Sequence, residues 1–156
     1  MKTIVAGHRD YEDKEHVFAV LDLMHCGSIT EIVHGACSGV DMIADEYADA
    51  RHIRKKPFPV TRGEWKRLGK PAGPMRNAKM AEYADWLIAF WDGKSRGTRS
   101  MIELAHKHRL IITIHPIKTP TKKKAPAPRS EGLFPSHDRN KKEEQEISQQ
   151  YTFNSI

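Results

Sequence analysis

The sequence predicts an α/β fold, a three-layer sandwich with helices on both faces of a parallel five-stranded sheet. Three observations carry this. Short apolar runs of strand length alternate with segments of helical periodicity as far as about residue 116, the pattern that right-handed parallel crossovers leave in a chain. The runs ending at Ala6, His34 and Trp91 are each followed by a glycine-bearing polar loop, residues 7–10, 35–41 and 92–98. The apolar residues are concentrated before residue 116, so a core of ordinary size is expected in that part alone. The expected strand order is 3-2-1-4-5, a Rossmann-like arrangement.

Thr3-Ile4-Val5-Ala6 reads as a buried first strand, ended by Gly7. From about Asp13, Val17, Phe18, Leu21 and Met24 recur at helical spacing until Cys26-Gly27 stops the helix. Thr30 to His34 is a second, β-branched strand. The helix behind the 35–41 loop gathers Val40, Ile43, Ala44, Tyr47 and Ala48 on one face. His52 to Phe58 is a weaker, more basic strand, suited to a sheet edge. Prolines and glycines make residues 57–74 a long irregular connection, a length that usually carries function. A helix over 74–84, a strand over 86–91, a helix over 98–109 and a strand from Leu110 to His115 complete the set. In the last helix Met101, Leu104, Ala105 and His108 are expected to face inward.

Two regions follow, a folded domain over 1–116 and a basic, proline-rich linker with a polar tail over 117–156. The tail has little to bury and is expected to be largely disordered, with one polar helical stretch from Asp138 to Gln150. The net charge is +6, of which residues 1–115 contribute 18 basic and 15 acidic groups. A folded part so nearly balanced argues against a duplex DNA footprint and suits a few arginines around a small anion. Neither a membrane span nor the apolar region of a signal peptide is visible. Cys26 and Cys37 form no C-x-x-C pair and lack a histidine at ligand spacing, which points to a reducing, cytoplasmic setting without structural metal.

Parallel strands put the three glycine-bearing loops on one edge of the sheet, where ligands bind in such folds. Gly7, His8 and Arg9 form the first loop, and Gly35, Ser38, Gly39 and Asp41 the second. Gly93, Ser95, Arg96, Gly97 and Thr98 form the third, immediately before a helix whose free N–H groups favour an anion. Arg9 and Arg96 are candidate phosphate clamps, since guanidinium is always charged and bonds two oxygens. Trp91, at a strand end, reads either as a stacking surface for a base or as a tryptophan at the rim of the core. Ser38-x-x-Asp41 is also a capping-box pattern, so Asp41 reads either as a helix cap or as a ligand contact. No histidine pairs with a nucleophile, and neither Cys37 nor Ser38 sits in a nucleophile elbow.

The segments Val-Ala-Gly-His-Arg-Asp, His-Gly-Ala-Cys-Ser-Gly-Val-Asp, Ala-Gly-Pro-Met-Arg-Asn and Trp-Asp-Gly-Lys-Ser-Arg-Gly-Thr carry a resemblance. In this order, over about residues 2–115, they resemble the SLOG superfamily, near its YspA, cpYpsA-related branch found in bacterial and phage genomes. The resemblance implies a Rossmann-like fold, a nucleotide-related ligand and a homodimer or higher homo-oligomer. The stretch from Arg76 to Ala81 is similar to that of LOG phosphoribohydrolases, which cleave the N-glycosidic bond of nucleoside monophosphates. Arg76 stands at their active-site arginine, Asn77 where they have lysine, and Gly97-Thr98 fits half of their glycine motif. Their catalytic glutamate is missing at its place, and Glu103 lies one helical step further on. The loop from Gly35 to Asp41 also resembles that of the DNA-processing protein A family, with Ser38 in place of its arginine.

The function expected from all this is binding of a small nucleotide or nucleotide-derived signalling ligand, by a protein that senses or sequesters it. Arg76 and Asn77 join the loop residues in that site, and neither cofactor, metal nor membrane is expected. One alternative is a nucleotide N-glycosidase using Arg76 and Glu103. Another is a binder of single-stranded nucleic acid, with the basic tail as an arm.

Overall fold

The computed structural model describes residues 1–118. The expected disorder of the tail, its polar helix and its role as a basic arm lie outside the described residues. Five parallel strands form one sheet: β1 (Lys2–Gly7), β2 (Glu31–His34), β3 (Arg54–Pro57), β4 (Trp86–Trp91) and β5 (Ile111–Pro116). Their order is β3-β2-β1-β4-β5, as the sequence predicts. Helices α1 (Lys14–His25), α2 (Val40–Ala50), α3 (Arg62–Leu68), α4 (Ala72–Tyr83) and α5 (Arg96–Lys107) connect them.

Alternation along the strands builds two cores. Val5, Ile32, Ile88 and Phe90 point to one face, where Val17 and Leu21 of α1 and Ile43, Ala44 and Tyr47 of α2 cover them. Ile4, Ala6, Val33, Leu87 and Ala89 point to the other, against Met80 and Ala81 of α4 and Met101, Ile102 and Ala105 of α5. A side-chain period of two makes each strand serve both layers, which is why the central runs are continuously apolar. On α5 the buried stripe includes Thr98 and Ile102, while Leu104 is only partly buried and packed against that core. The basic β3 and the half-exposed β5 are the edges, and at β3 charge discourages pairing with another chain.

Polar ties fix the helices on the sheet. Asp22 of α1 accepts from Tyr47 Oη at 2.9 Å and from Arg51 Nε and Nη2 at 2.8 and 2.7 Å, which clips α1 to the end of α2. Buried His34 at the end of β2 has Nε2 3.0 Å from Asp45 Oδ1, and Asp45 in turn accepts from Lys55 of β3 at 2.7 Å. The His34 Nδ1 accepts the Ala36 N–H at 3.3 Å, so Nε2 carries the proton toward Asp45. His34 is therefore a structural pin.

The connection over 57–74 differs from its expectation. It contains the whole of α3, started by a capping box in which Thr61 and Glu64 bond each other's backbone N–H groups. α4 also begins earlier than expected, at Ala72. Beyond β5, Ile117 is buried in the first core and its N–H donates to the Trp91 carbonyl at 3.0 Å.

Candidate functional site

The strand order reverses direction between β1 and β4, and the carboxyl ends of these two strands lie side by side, with Gly7 in register with Phe90. A crevice opens outside such a switch point because the crossovers leave toward opposite faces. Here it is a cavity of about 320 Å³, within the range of small-ligand sites. Gly7, His8 and Arg9 line it from the first loop, Gly35 and Asp41 from the second, and Ser95, Gly97 and Thr98 from the start of α5. Arg76 and Asn77 of α4 complete the predicted set. Thus four separate stretches of sequence meet in one crevice.

Glycines permit the close approach of the first two loops. Gly39 has φ +75°, and a Cβ there would lie 2.6 Å from the Arg9 carbonyl oxygen. A Cβ on Gly7 would lie 2.9 Å from the Phe90 carbonyl oxygen, so no larger residue fits between β1 and β4 at their ends.

Asp41 is the organiser of the second loop. Its Oδ2 accepts from the backbone N–H groups of Gly35 at 2.9 Å and Cys37 at 3.2 Å, from inside the protein. The capping-box reading is corrected: Gly39 is the N-cap of α2, and no side chain caps this helix start. Burial pushes the Asp41 carboxyl above the usual carboxylate range, against the Cys37 N–H bond and the nearby charge of Arg76, which favour ionisation.

Arg76 is the residue on which the geometry converges. Nη1 donates to the Gly35 carbonyl, Nε donates to Asn77 Oδ1 at 2.9 Å, and both terminal nitrogens stand 3.6–3.7 Å from the Cys37 sulfur. Buried Asn77 reaches the other way, its Nδ2 donating to the Gly97 carbonyl at 3.4 Å. This pair spans from the second loop to the first turn of α5. Behind the third loop Asp92 Oδ1 accepts from the N–H groups of Lys94 and Ser95 at 3.0 and 2.8 Å, and Oδ2 lies 3.8 Å from His8 Nε2. Burial alone would raise the Asp92 carboxyl, but these N–H bonds and His8 outweigh it and hold it below the usual range. Ser95 Oγ and Thr98 Oγ1 are 3.2 Å apart, and Ser95 gives α5 no side-chain cap. The first N–H groups of α5 therefore have no side-chain cap from its own chain start.

Five expected residues stand outside this cavity. Gly93 and exposed Arg96 do not line it, and Gly39 shapes it only from behind. Ser38 lines a neighbouring cavity. Trp91 packs on the second core with its Nε1 donating to the Ser95 carbonyl at 3.2 Å, which makes it a brace for the third loop. The Arg76–Glu103 pair of the N-glycosidase alternative is not brought together in this cavity. Glu103 lies on the outer side of α5, its side chain 68% exposed and paired with Arg99 at 3.2 Å, and it is not a wall of the cavity. Cys37 is the main lining residue that sequence reasoning missed. Its place between Gly35 and Asp41 was the available clue. Among the described residues no group of three or more histidines, cysteines or carboxylates is placed to hold a metal ion, and no helix is long and apolar enough to cross a membrane.

Fold and crevice together define an α/β protein with a candidate site at the switch point of a parallel sheet. The family model of the YspA, cpYpsA-related SLOG family matches residues 1–67. The gene 61 protein of Mycobacterium phage D29 is 35% identical over 113 residues, covering 68% of this chain and 89% of that protein. The chain belongs to the YspA, cpYpsA-related SLOG family. Among solved structures, DNA processing protein A from Streptococcus pneumoniae superposes with a TM-score of 0.62 at 20% identity, over 75% of this chain and 50% of that one. The Helicobacter pylori protein of the same name, described for its single-stranded DNA binding mode, gives 0.59 at 20% identity, over 76% and 66%. The chain thus spans only half to two thirds of these structural relatives, and what they share with it is the fold.

Proposed function

We propose that this protein binds a small nucleotide or nucleotide-derived ligand in the switch-point cavity, as a sensor or sequestering protein that does not turn it over. The observation that carries the reading is the convergence of Arg9, Arg76 and the start of α5 on one 320 Å³ crevice. Two guanidinium groups and the positive end of a helix dipole make a phosphate site, and the loop glycines let the backbone come close to it. Membership of a SLOG family supports a nucleotide as the bearer of that phosphate, and a homodimer belongs to the same reading. Cleavage of a glycosidic bond needs a carboxylate at the sugar carbon. Glu103 is not a wall of the cavity and Asp41 is occupied by loop N–H groups, which leaves Asp10 as the lining carboxylate that an assay for base release examines. A single-stranded nucleic acid end would present the same phosphate and base, which is the form the second reading takes.

Calorimetry with nucleoside 5′-monophosphates tests this. Arg9→Ala, at an exposed position, is expected to weaken binding by tenfold or more, since a charge-assisted bond is worth roughly 1.5–3 kcal/mol. Arg76→Ala is expected to abolish binding and also to lower the melting temperature of the free protein, because the Gly35 carbonyl loses its donor. No free base should appear on chromatography after hours of incubation. Absence of binding by all monophosphates and dinucleotides would sink the proposal, and base release would make the protein a hydrolase.

A further inference from the structure

Next to the switch-point cavity lies a second one of about 180 Å³, and the two share Arg9, Gly35, Cys37 and Arg76 as walls. Its far side is Val60 and Trp65, contributed by α3 and the chain leading into it. Trp65 is 43% exposed, belongs to neither core, and its indole makes no hydrogen bond or ring contact among the described residues. No residue of α3 is buried, so the tryptophan is not there to anchor the helix. Yet α3 is held in place: the capping box of Thr61 and Glu64 starts it, and Lys79 of α4 stands 4.0 Å from Glu64. A half-exposed indole faces a hollow whose other wall includes two arginines. Large aromatic side chains left exposed at a concave polar site are suited to stacking on a planar ring.

We infer that this second cavity is the subsite for a second nucleoside, with Trp65 stacking on its base and Arg9 and Arg76 holding the phosphate that links the two halves. This rests on the nucleotide reading of the first cavity and names its ligand class: two nucleosides joined through phosphate. The shared wall supports it. A mononucleotide in the first cavity leaves the second, which has four wall residues in common with it, unused. A phosphate on Arg76 sits at the junction and so can be bonded from both sides. The linkage can be a phosphodiester, as at the end of a single strand, or a pyrophosphate, as in a free dinucleotide. Both present the same two rings and the same anionic bridge.

The test is calorimetry on the full chain with three sets of probes: nucleoside 5′-monophosphates of the five bases, their 5′-phosphorylated phosphodiester dinucleotides, and the pyrophosphate-linked dinucleotides. At least one dinucleotide is expected to bind tenfold or more tightly than its monophosphate. Trp65→Ala should remove at least fivefold of that gain, the lower end of what stacking on one base contributes. It should leave the monophosphate affinity unchanged. Trp65→Phe, which keeps an aromatic face, should restore most of the gain, whereas Trp65→Leu, which keeps only apolar bulk, should not. Should the monophosphates bind while no dinucleotide binds more tightly, the subsite inference falls and the first cavity stands. A dinucleotide gain that survives Trp65→Ala also overturns it. If no probe of any set binds, both readings fall together. Either linkage showing the Trp65-dependent gain supports the inference and identifies the source.

Discussion

Placing the Asp41 carboxylate inside the protein costs free energy, and the two N–H donors of Gly35 and Cys37 offset only part of it. The balance is visible in its proton affinity, which burial raises above the ordinary value of 3.8. A raised value means that the folded state holds the proton more tightly than the unfolded chain. The contribution to stability is then complete below 3.8 and is lost as pH rises through the raised value. Asp45 behaves oppositely. The Lys55 bond lowers its carboxyl, so its contribution is present above 3.8 and is lost as pH falls below it. Comparing wild type with Asp41→Asn cancels Asp45 and isolates Asp41. Between pH 4 and pH 7 the melting temperature of the variant is expected to rise relative to wild type. For a domain of this size about 1 kcal/mol corresponds to roughly 4 °C. Paired thermal melts read the difference, and a gap that moves in favour of wild type would contradict the burial account. The residues of this loop were legible in the sequence as a cluster, but their roles were not. Ser38-x-x-Asp41 matches a capping box, and only the three-dimensional path of the loop shows Asp41 bonding backward to Gly35 and Cys37. Trp91 was ambiguous for the same reason, since a strand end faces both core and crevice.

The strands were readable because β1 and β4 carry continuous apolar runs and β2 the β-branched pair Ile32-Val33, each bounded by a turn, and the faces of α1 and α2 because their apolar residues recur at helical spacing. Helix α3 lacks both cues. It buries no residue, so no periodicity marks it, and the prolines and glycines around it read as irregular chain. One cue was present, the Thr61-x-x-Glu64 pattern that became its capping box. That box should carry much of the stability of α3. Thr61→Ala removes a cap contribution of about 1 kcal/mol, and with no buried anchor the loss stays local. Amide exchange over residues 62–68 is expected to accelerate roughly fivefold while the global melting temperature moves by less than about 2 °C. Unchanged exchange would mean that packing beside α4 holds the helix. A global loss of several degrees would mean that α3 is part of the cooperative core, and would alter how rigidly Trp65 is mounted.

On the scale of the molecule, a site formed by four distant stretches exists only because the sheet order reverses between β1 and β4. Loops after Gly7, His34 and Trp91 are brought to one edge by parallel pairing, which the alternation of elements made legible. The inward position of Arg76 followed from family resemblance, and the outward position of Glu103 required the helix itself. The sequence placed the end of the folded domain at residue 116, but the packing asks for a little more. Ile117 is buried among the residues of the first core, and its N–H closes a hydrogen bond to Trp91, the residue that braces the third loop. Cutting before Ile117 would therefore remove both a core side chain and a support of the candidate site, whereas the compact unit extends from Met1 to Thr121. We expect a chain ending at Thr121 to fold with a melting temperature within about 2 °C of the full-length protein and to match it in the proposed nucleotide binding. A chain ending at Pro116 should melt lower by several degrees, since burial of one isoleucine is worth about 1.5–3 kcal/mol. Scanning calorimetry of the two truncations beside the full chain makes the comparison. Equal stability of both would show that Ile117 is dispensable, and a loss in the longer one would show that residues after Thr121 contribute to the folded domain.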